Sequence, residues 1–342
     1  MTEAVEGIPD NIKKHKKKVG KKIRELISGR EDRLHEMVNY HLGLEGGEEE
    51  ELKGKAIRPS LALFTAEALG GDPEDALPGA VSLELIHNFS LVHDDIQDDA
   101  ETRRGRKSVQ AKWGPAQAIN AGDGIKDMSL LALTELGDGS RPGRTLRVLD
   151  ALSNYSLRMI QGQVRDLTYA ERKDVDVESY LEMIRDKTCA LLQASFHVGA
   201  IYGEEAGDER SLVRLGKLLG YVYQIRDDWL GIWGQPEESG KSAQSDLIEK
   251  KMSYPVVYAV QKGEGSMLAE LKRLYFRRND LDSEEVEETK RILEELGARE
   301  GTNEKAREFW AEAERELKRT ELRDWAKADL KNFGQFLLNR KK

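Results

Sequence analysis

Apolar residues recur at helical spacing along almost the whole chain. Ile23, Leu26 and Ile27 share one helix face, and Leu34, Met37 and Val38 share the next. Glycine and proline separate these segments, most clearly at Gly70-Gly71-Asp72-Pro73, Gly137-Asp138-Gly139, Gly203 to Asp208 and Gly234 to Gly240. The pattern predicts helices over residues 11–29, 31–42, 55–69, 75–99, 114–136, 143–170, 176–203, 208–231, 253–262, 266–278, 283–297, 302–319 and 323–339. No segment alternates apolar and polar positions as a half-buried strand would. The expected fold class is all-α, one helical domain over residues 1–342, with 1–20 a candidate disordered tail and the acidic, glycine-containing stretch 44–53 a mobile surface loop.

Composition narrows the partners. Of 342 residues, 54 are Lys or Arg and 63 are Asp or Glu, for a net charge of −9, which argues against a general nucleic-acid binder. Proline numbers only 8, in keeping with long helices. The single cysteine, Cys189, can form no internal disulfide and fits a reducing cytoplasm. Apolar runs such as Val256 to Val260 fall far short of the roughly 20 residues of a transmembrane helix, and Met1 to Asp10 lack a secretory pattern. The lysine-rich run Lys13 to Lys22 is expected to be a solvated helix face.

Two acidic clusters carry the candidate chemistry. Asp94, Asp95 and Asp98 end a long apolar helix, and Asp94 and Asp98, four apart, share a face. Uncompensated carboxylates on one turn repel each other unless a cation binds, and hard oxygen donors suit Mg²⁺ with substrate phosphates. Asp227 and Asp228 close a second apolar segment, so two such helix ends could face each other across a cavity. Cations accompany both: Lys55 and Arg58 open one helix, Arg103 and Arg104 follow the first cluster, Lys187-Thr188 lies mid-helix, and Lys241 follows the second. A diphosphate needs such donors for the oxygens a metal does not hold.

These residues resemble motifs of the trans-isoprenyl diphosphate synthases, or polyprenyl synthetases, over roughly residues 20–340. Asp94-Asp95-Ile96-Gln97-Asp98 with Arg103-Arg104-Gly105 resembles the first aspartate-rich motif, and Gln224-Ile225-Arg226-Asp227-Asp228 the start of the second. Gly240 to Leu247, Gln161 to Leu167, Asp186-Lys187-Thr188 and Gly54 to Pro59 resemble further family segments. The resemblance implies a helical bundle around a central cavity and a head-to-tail condensation of isopentenyl diphosphate with an allylic diphosphate. It implies three Mg²⁺ ions on Asp94, Asp95, Asp98, Asp227 and Asp228, with Arg103, Lys187, Thr188, Gln224 and Lys241 around the allylic diphosphate. Lys55, Arg58, His87 and Arg104 would form a metal-free pocket for isopentenyl diphosphate. A homodimer is implied as well.

The chain departs from the family pattern at Gly231, in the slot of a third aspartate, and at Lys126 and Asp127, where apolar or aromatic residues are usual. Phe89, five residues before Asp94 and next to the small Ser90, is expected to floor the tunnel for the growing tail and stop the product at C20, geranylgeranyl diphosphate. A class I terpene cyclase and a regulatory subunit of a heteromeric synthase are the alternatives. The first has no use for an isopentenyl pocket, and the second would be expected to lose an acidic cluster.

Overall fold

The computed structural model describes residues 7–45, 52–136, 142–170, 172–204, 209–234, 244–277 and 281–340. Helices dominate as the spacing predicts. They are α1 (Asp10–Lys13), α2 (Lys16–Ile27), α3 (Arg33–Leu42), α4 (Ile57–Ala68), α5 (Pro73–Gln97), α6 (Val109–Trp113), α7 (Pro115–Glu135), α8 (Pro142–Ala170), α9 (Val177–Lys187), α10 (Cys189–Tyr202), α11 (Glu209–Trp233), α12 (Ser245–Ile248), α13 (Tyr254–Lys262), α14 (Gly265–Tyr275), α15 (Ser283–Glu295), α16 (Ala298–Arg319) and α17 (Asp324–Asn339).

Helix α5 is the axis of the bundle. Asp72 caps it by accepting the Glu74 amide at 2.9 Å, and Pro73 occupies its first turn, where a missing N–H costs nothing. Residues Ala76 to Ile86 are buried on every side, so α5 has no solvent stripe until it nears its acidic end. It packs on α7, α4 and α10, while α10 packs in turn on α11 and α11 on α16. Side chains such as Leu83, Val92, Ile125 and Val198 fill the core around α5; Tyr180, Ile225, Val257 and Ile292 fill a second around α9, α11 and α13 to α16. The first acidic cluster therefore sits at the end of a densely packed helix, whereas the second, expected to close its helix, lies within α11, which continues through the buried Leu230, Ile232 and Trp233.

Four further features differ from the sequence expectation. Of the tail 1–20, residues 1–6 lie outside the described residues and the rest folds, with Ile12 and Val19 buried, and the helix expected over 11–29 divides between Lys13 and Lys16. Of the loop 44–53, residues 46–51 lie outside the described residues, but Leu44 and Leu52 bury into the core and anchor its ends. The helix expected over 176–203 breaks at Thr188, where α8 comes so close that a Cβ on Gly162 would lie 2.1 Å from the Lys187 amide nitrogen. The fourth is a two-stranded ribbon, β1 (Thr102–Arg103) with β2 (Arg106–Lys107), turned by Arg104 at φ 53° and Gly105 at φ 74°. Two consecutive positive φ values define the tight hairpin turn that matches strand twist, and alternation of only two residues per strand is too short to see as a pattern.

Candidate active site

The five aspartates do not stand alike. In each adjacent pair one carboxylate is buried and fully bonded, and the other stays partly exposed. Neighbouring helix residues point about 100° apart, so the rotation of α5 and α11 decides which is which. Asp95 is 1% exposed and takes the Arg103 Nε on both oxygens at 2.8 Å. Asp228 is 5% exposed; it accepts the Tyr254 amide at 2.7 Å, Gln224 Nε2 at 2.8 Å and the Tyr180 hydroxyl. Burial, reinforced by the neighbouring Asp246 carboxylate and opposed by these donors, pushes Asp228 up to about 7.

Asp94, by contrast, is half-buried and feels Lys187, Asp98, Arg103 and Asp166. Burial pushes its pKa up to about 6, with Lys187 opposing and Asp98 reinforcing the shift. Asp98 caps α5 in the open. Asp227 accepts from Arg340 Nη2 at 2.8 Å and remains 41% exposed.

Two lysines connect the acidic clusters. Lys187 pairs with Asp166, which lies within electrostatic reach of both Asp94 and Tyr180, the partner of Asp228. Lys251 is 2.5 Å from Glu249 and feels both Asp246 and Asp98. Like charges on the two helices are thus compensated by ammonium groups lying between them. Thr188 at the break of α9 and α10 donates to Gln224 Oε1 at 2.7 Å, which passes the constraint on to Asp228. Gln97 and Gln163 close the same face, at 2.7 Å.

A second, cationic pocket lies beside the first cluster. Arg58 Nη1 donates to His87 Nε2 at 3.2 Å, and Arg103, Arg104 and His41 crowd the same imidazole. Burial and these cations hold His87 well below its ordinary pKa, so its ring is neutral and Nε2 accepts. Arg104 Nη1 donates to the Lys53 carbonyl at 2.8 Å and packs over Gly54, whose φ of 102° leaves no place for a side chain. Lys55 follows on this loop, and Ala56, at φ 45°, starts α4 in a left-handed conformation. Positive φ at the non-glycine residues Ala56 and Arg104 marks the turns that bring Arg58 and Arg104 to His87, while Lys55 stands exposed on the loop before α4.

The residues expected from the sequence are mostly brought together. Lys241 lies outside the described residues. Gly231 has a physical reason: a Cβ there would lie 2.1 Å from Asp246 Oδ2, so the Asp246 carboxylate already fills the slot of a third aspartate. Asp166, Tyr180, Asp246 and Arg340 shape the site without having been singled out for it, and Lys251 belongs to the cationic pair Lys250-Lys251 that follows the second cluster in the sequence. Asp166 and Asp246 lie within family-like segments, whereas Arg340 joins Asp227 across 113 positions with no local signal. Among the described residues, no group of three His, Cys, Asp or Glu side chains converges tightly enough to hold an ion alone. The accessible carboxylates of Asp94 and Asp98, four residues apart on α5, are hard oxygen donors of the kind Mg²⁺ takes together with phosphate and water.

Comparison with known proteins agrees with this geometry. The polyprenyl synthetase family model matches residues 48–296. A short chain isoprenyl diphosphate synthase of Methanothermobacter thermautotrophicus is 36% identical over 97% of this chain and 98% of its own. A (2E,6E)-farnesyl diphosphate synthase of Mycobacterium bovis is 41% identical over 70% of this chain and 67% of its own. The crystal structure of geranylgeranyl pyrophosphate synthetase from Pyrococcus horikoshii superposes with a TM-score of 0.85 at 32% identity, covering 96% of this chain and 97% of that one. With two helix-borne aspartate clusters, a cationic pocket between them and the loop before α4, and these relatives, the chain belongs to the polyprenyl synthetase family and is a prenyl-transferring isoprenyl diphosphate synthase.

Proposed function

We propose that the chain condenses isopentenyl diphosphate with an allylic diphosphate and releases geranylgeranyl diphosphate, C20, as its main product. The observation that carries the condensation is the pairing of two charged sites. One presents the solvent-accessible carboxylates of Asp94, Asp98 and Asp227, and the other gathers Arg58 and Arg104 at neutral His87, with the buried Glu84 beside both arginines. A cyclase needs only the first.

Asp94 and Asp98 near the end of α5 and Asp227 within α11 would hold Mg²⁺ directly, while Asp95 and Asp228 are positioning residues, held by Arg103 and by Tyr180, Tyr254 and Gln224. Three bound Mg²⁺ ions would supply the charge that makes diphosphate a leaving group. Lys187 and Lys241 donate to the remaining diphosphate oxygens, with Arg103 shared between substrate and Asp95. Lys55, Arg58 and Arg104 hold the second diphosphate, and neutral His87 orients Arg58 within that pocket. The allylic C–O bond breaks, the isopentenyl double bond attacks the allylic cation, and the departing diphosphate takes the proton lost on forming the new double bond. Charge separation in an enclosed site stabilised by fixed cations is the main rate term.

Product length is assigned to Phe89, 6% exposed, beside the small Ser90 on α5. A homodimer is supported by an apolar stripe on α8, where Leu157, Ile160, Val164 and Leu167 recur at three- and four-residue spacing and stand 41% to 59% exposed. Among the described residues no helix is long and apolar enough to cross a membrane, and we place the enzyme in the cytoplasm. Incubation with isopentenyl diphosphate, Mg²⁺ and the C5, C10 or C15 allylic diphosphate tests the function. Elongation to C20 is expected, and a cyclic hydrocarbon or no reaction contradicts it.

A further inference from the structure

Three rungs connect the walls below the aspartates. At the mouth, Gln97 of α5 meets Gln163 of α8 at 2.7 Å. One turn down, the His93 ring lies against Gly122 of α7, where an added Cβ would come within 2.3 Å of Nε2. Another turn down, Lys126 of α7 holds its Nζ 5.2 Å from the centroid of the Phe89 ring and donates to Ser156 Oγ of α8 at 2.9 Å. The pairs 93 with 122 and 89 with 126 show α7 running antiparallel to α5, so the third rung lies about 7.5 Å below Asp94 at roughly 1.5 Å per residue. It ties α5, α7 and α8 together at that depth.

We infer that Lys126, bridging Phe89 and Ser156, is a polar crossbar that sets product length from the α7 side. The inference rests on the prenyl-elongating function proposed above. A hydrocarbon tail gains free energy with each methylene it buries in an apolar channel. It gains much less where the channel holds an ammonium, because advancing past it strips solvent from a charge whose one side-chain hydrogen-bond partner is a neutral hydroxyl. Lys126 is only partly buried, and burial already lowers its pKa with the nearby Asp127 carboxylate opposing, so the water it keeps is what an advancing tail would have to remove. The aromatic face of Phe89 and the Ser156 hydroxyl hold the ammonium across the channel rather than letting it snorkel outward. The floor is then electrostatic as well as steric, and Phe89 is only half of it.

The test compares chain lengths formed from geranyl diphosphate and isopentenyl diphosphate by the full chain and by Lys126→Met, Lys126→Arg and Ser156→Ala. Methionine keeps the unbranched length and removes the charge; arginine keeps the charge. Lys126→Met is expected to move the main product at least one five-carbon unit longer, and Ser156→Ala to raise the longer fraction several-fold. Lys126→Arg is expected to keep the parent distribution. An unchanged distribution in a folded Lys126→Met overturns the inference, as does Lys126→Arg lengthening the product equally. If Lys126→Met fails to fold, Ser156→Ala decides in the same way. A parent enzyme that elongates no primer overturns the proposed function itself, whereas a normal parent with unmoved variants overturns the crossbar alone.

Discussion

The Arg103 guanidinium grips Asp95 through Nε at 2.8 Å to both carboxylate oxygens, and Asp95 is 1% exposed. The pair locks the hairpin of β1 and β2 to the end of α5, and with it the direction of Arg104. Breaking a buried pair leaves one charge unsatisfied, at roughly 3–5 kcal/mol. Arg103→Ala should fall toward the lower end of that range, since the arginine is partly exposed, and should weaken isopentenyl diphosphate binding through Arg104. Urea unfolding checks the first and KM the second; a loss below about 1 kcal/mol with KM unchanged contradicts the structural role.

Asp94 behaves differently because it stays partly exposed. With its pKa near 6, it is mostly protonated at pH 5 and mostly ionised at pH 7. Metal binding requires the ionised form, so Mg²⁺ affinity in the presence of inorganic diphosphate should fall about tenfold between pH 7 and pH 5, with proton release on binding. Titration calorimetry in two buffers of different ionisation enthalpy measures both, and flat affinity with no released proton contradicts it. For the metal-free protein the sign is opposite: a carboxyl raised from 3.8 stabilises the fold below that pH and loses its contribution as pH rises through about 6.

Gly231→Asp would appear to restore a missing ligand. Because Asp246 Oδ2 occupies the space where its Cβ would go, 2.1 Å away, the added carboxylate must displace a buried acid already beside Asp228. The variant should melt several degrees lower and lose at least tenfold in kcat/KM. A variant as stable and active as the parent would show that Asp246 does not fill that slot.

How much of this was legible beforehand follows from the range of each interaction. Helix existence depends on apolar spacing within a few turns, and α5, α7, α8 and α11 appear where that spacing puts them. The same spacing cannot tell Asp94 from Asp95, or Asp227 from Asp228, because the choice depends on how each helix is rotated against its neighbours. The Thr188 break is set by Gly162 of another helix, and the Arg340 contact to Asp227 joins distant parts of the chain. The ribbon at Arg103 to Arg106 escaped notice since two-residue strands have no period to read.

Phe89→Ala should lengthen the main product by at least one five-carbon unit. It should also cost about 3–5 kcal/mol, the usual loss for truncating a buried phenylalanine. Product chromatography and thermal melting report these separately. A destabilised variant with unchanged product length would make Phe89 a core residue only.

The most direct measurement is mass spectrometry of the product formed from farnesyl diphosphate and ¹³C-labelled isopentenyl diphosphate with Mg²⁺, alongside the diphosphate released. A C20 diphosphate carrying one labelled unit, equimolar with released diphosphate and abolished by chelation, is the predicted result. An unlabelled hydrocarbon, or diphosphate released without incorporation of label, would contradict condensation at this site.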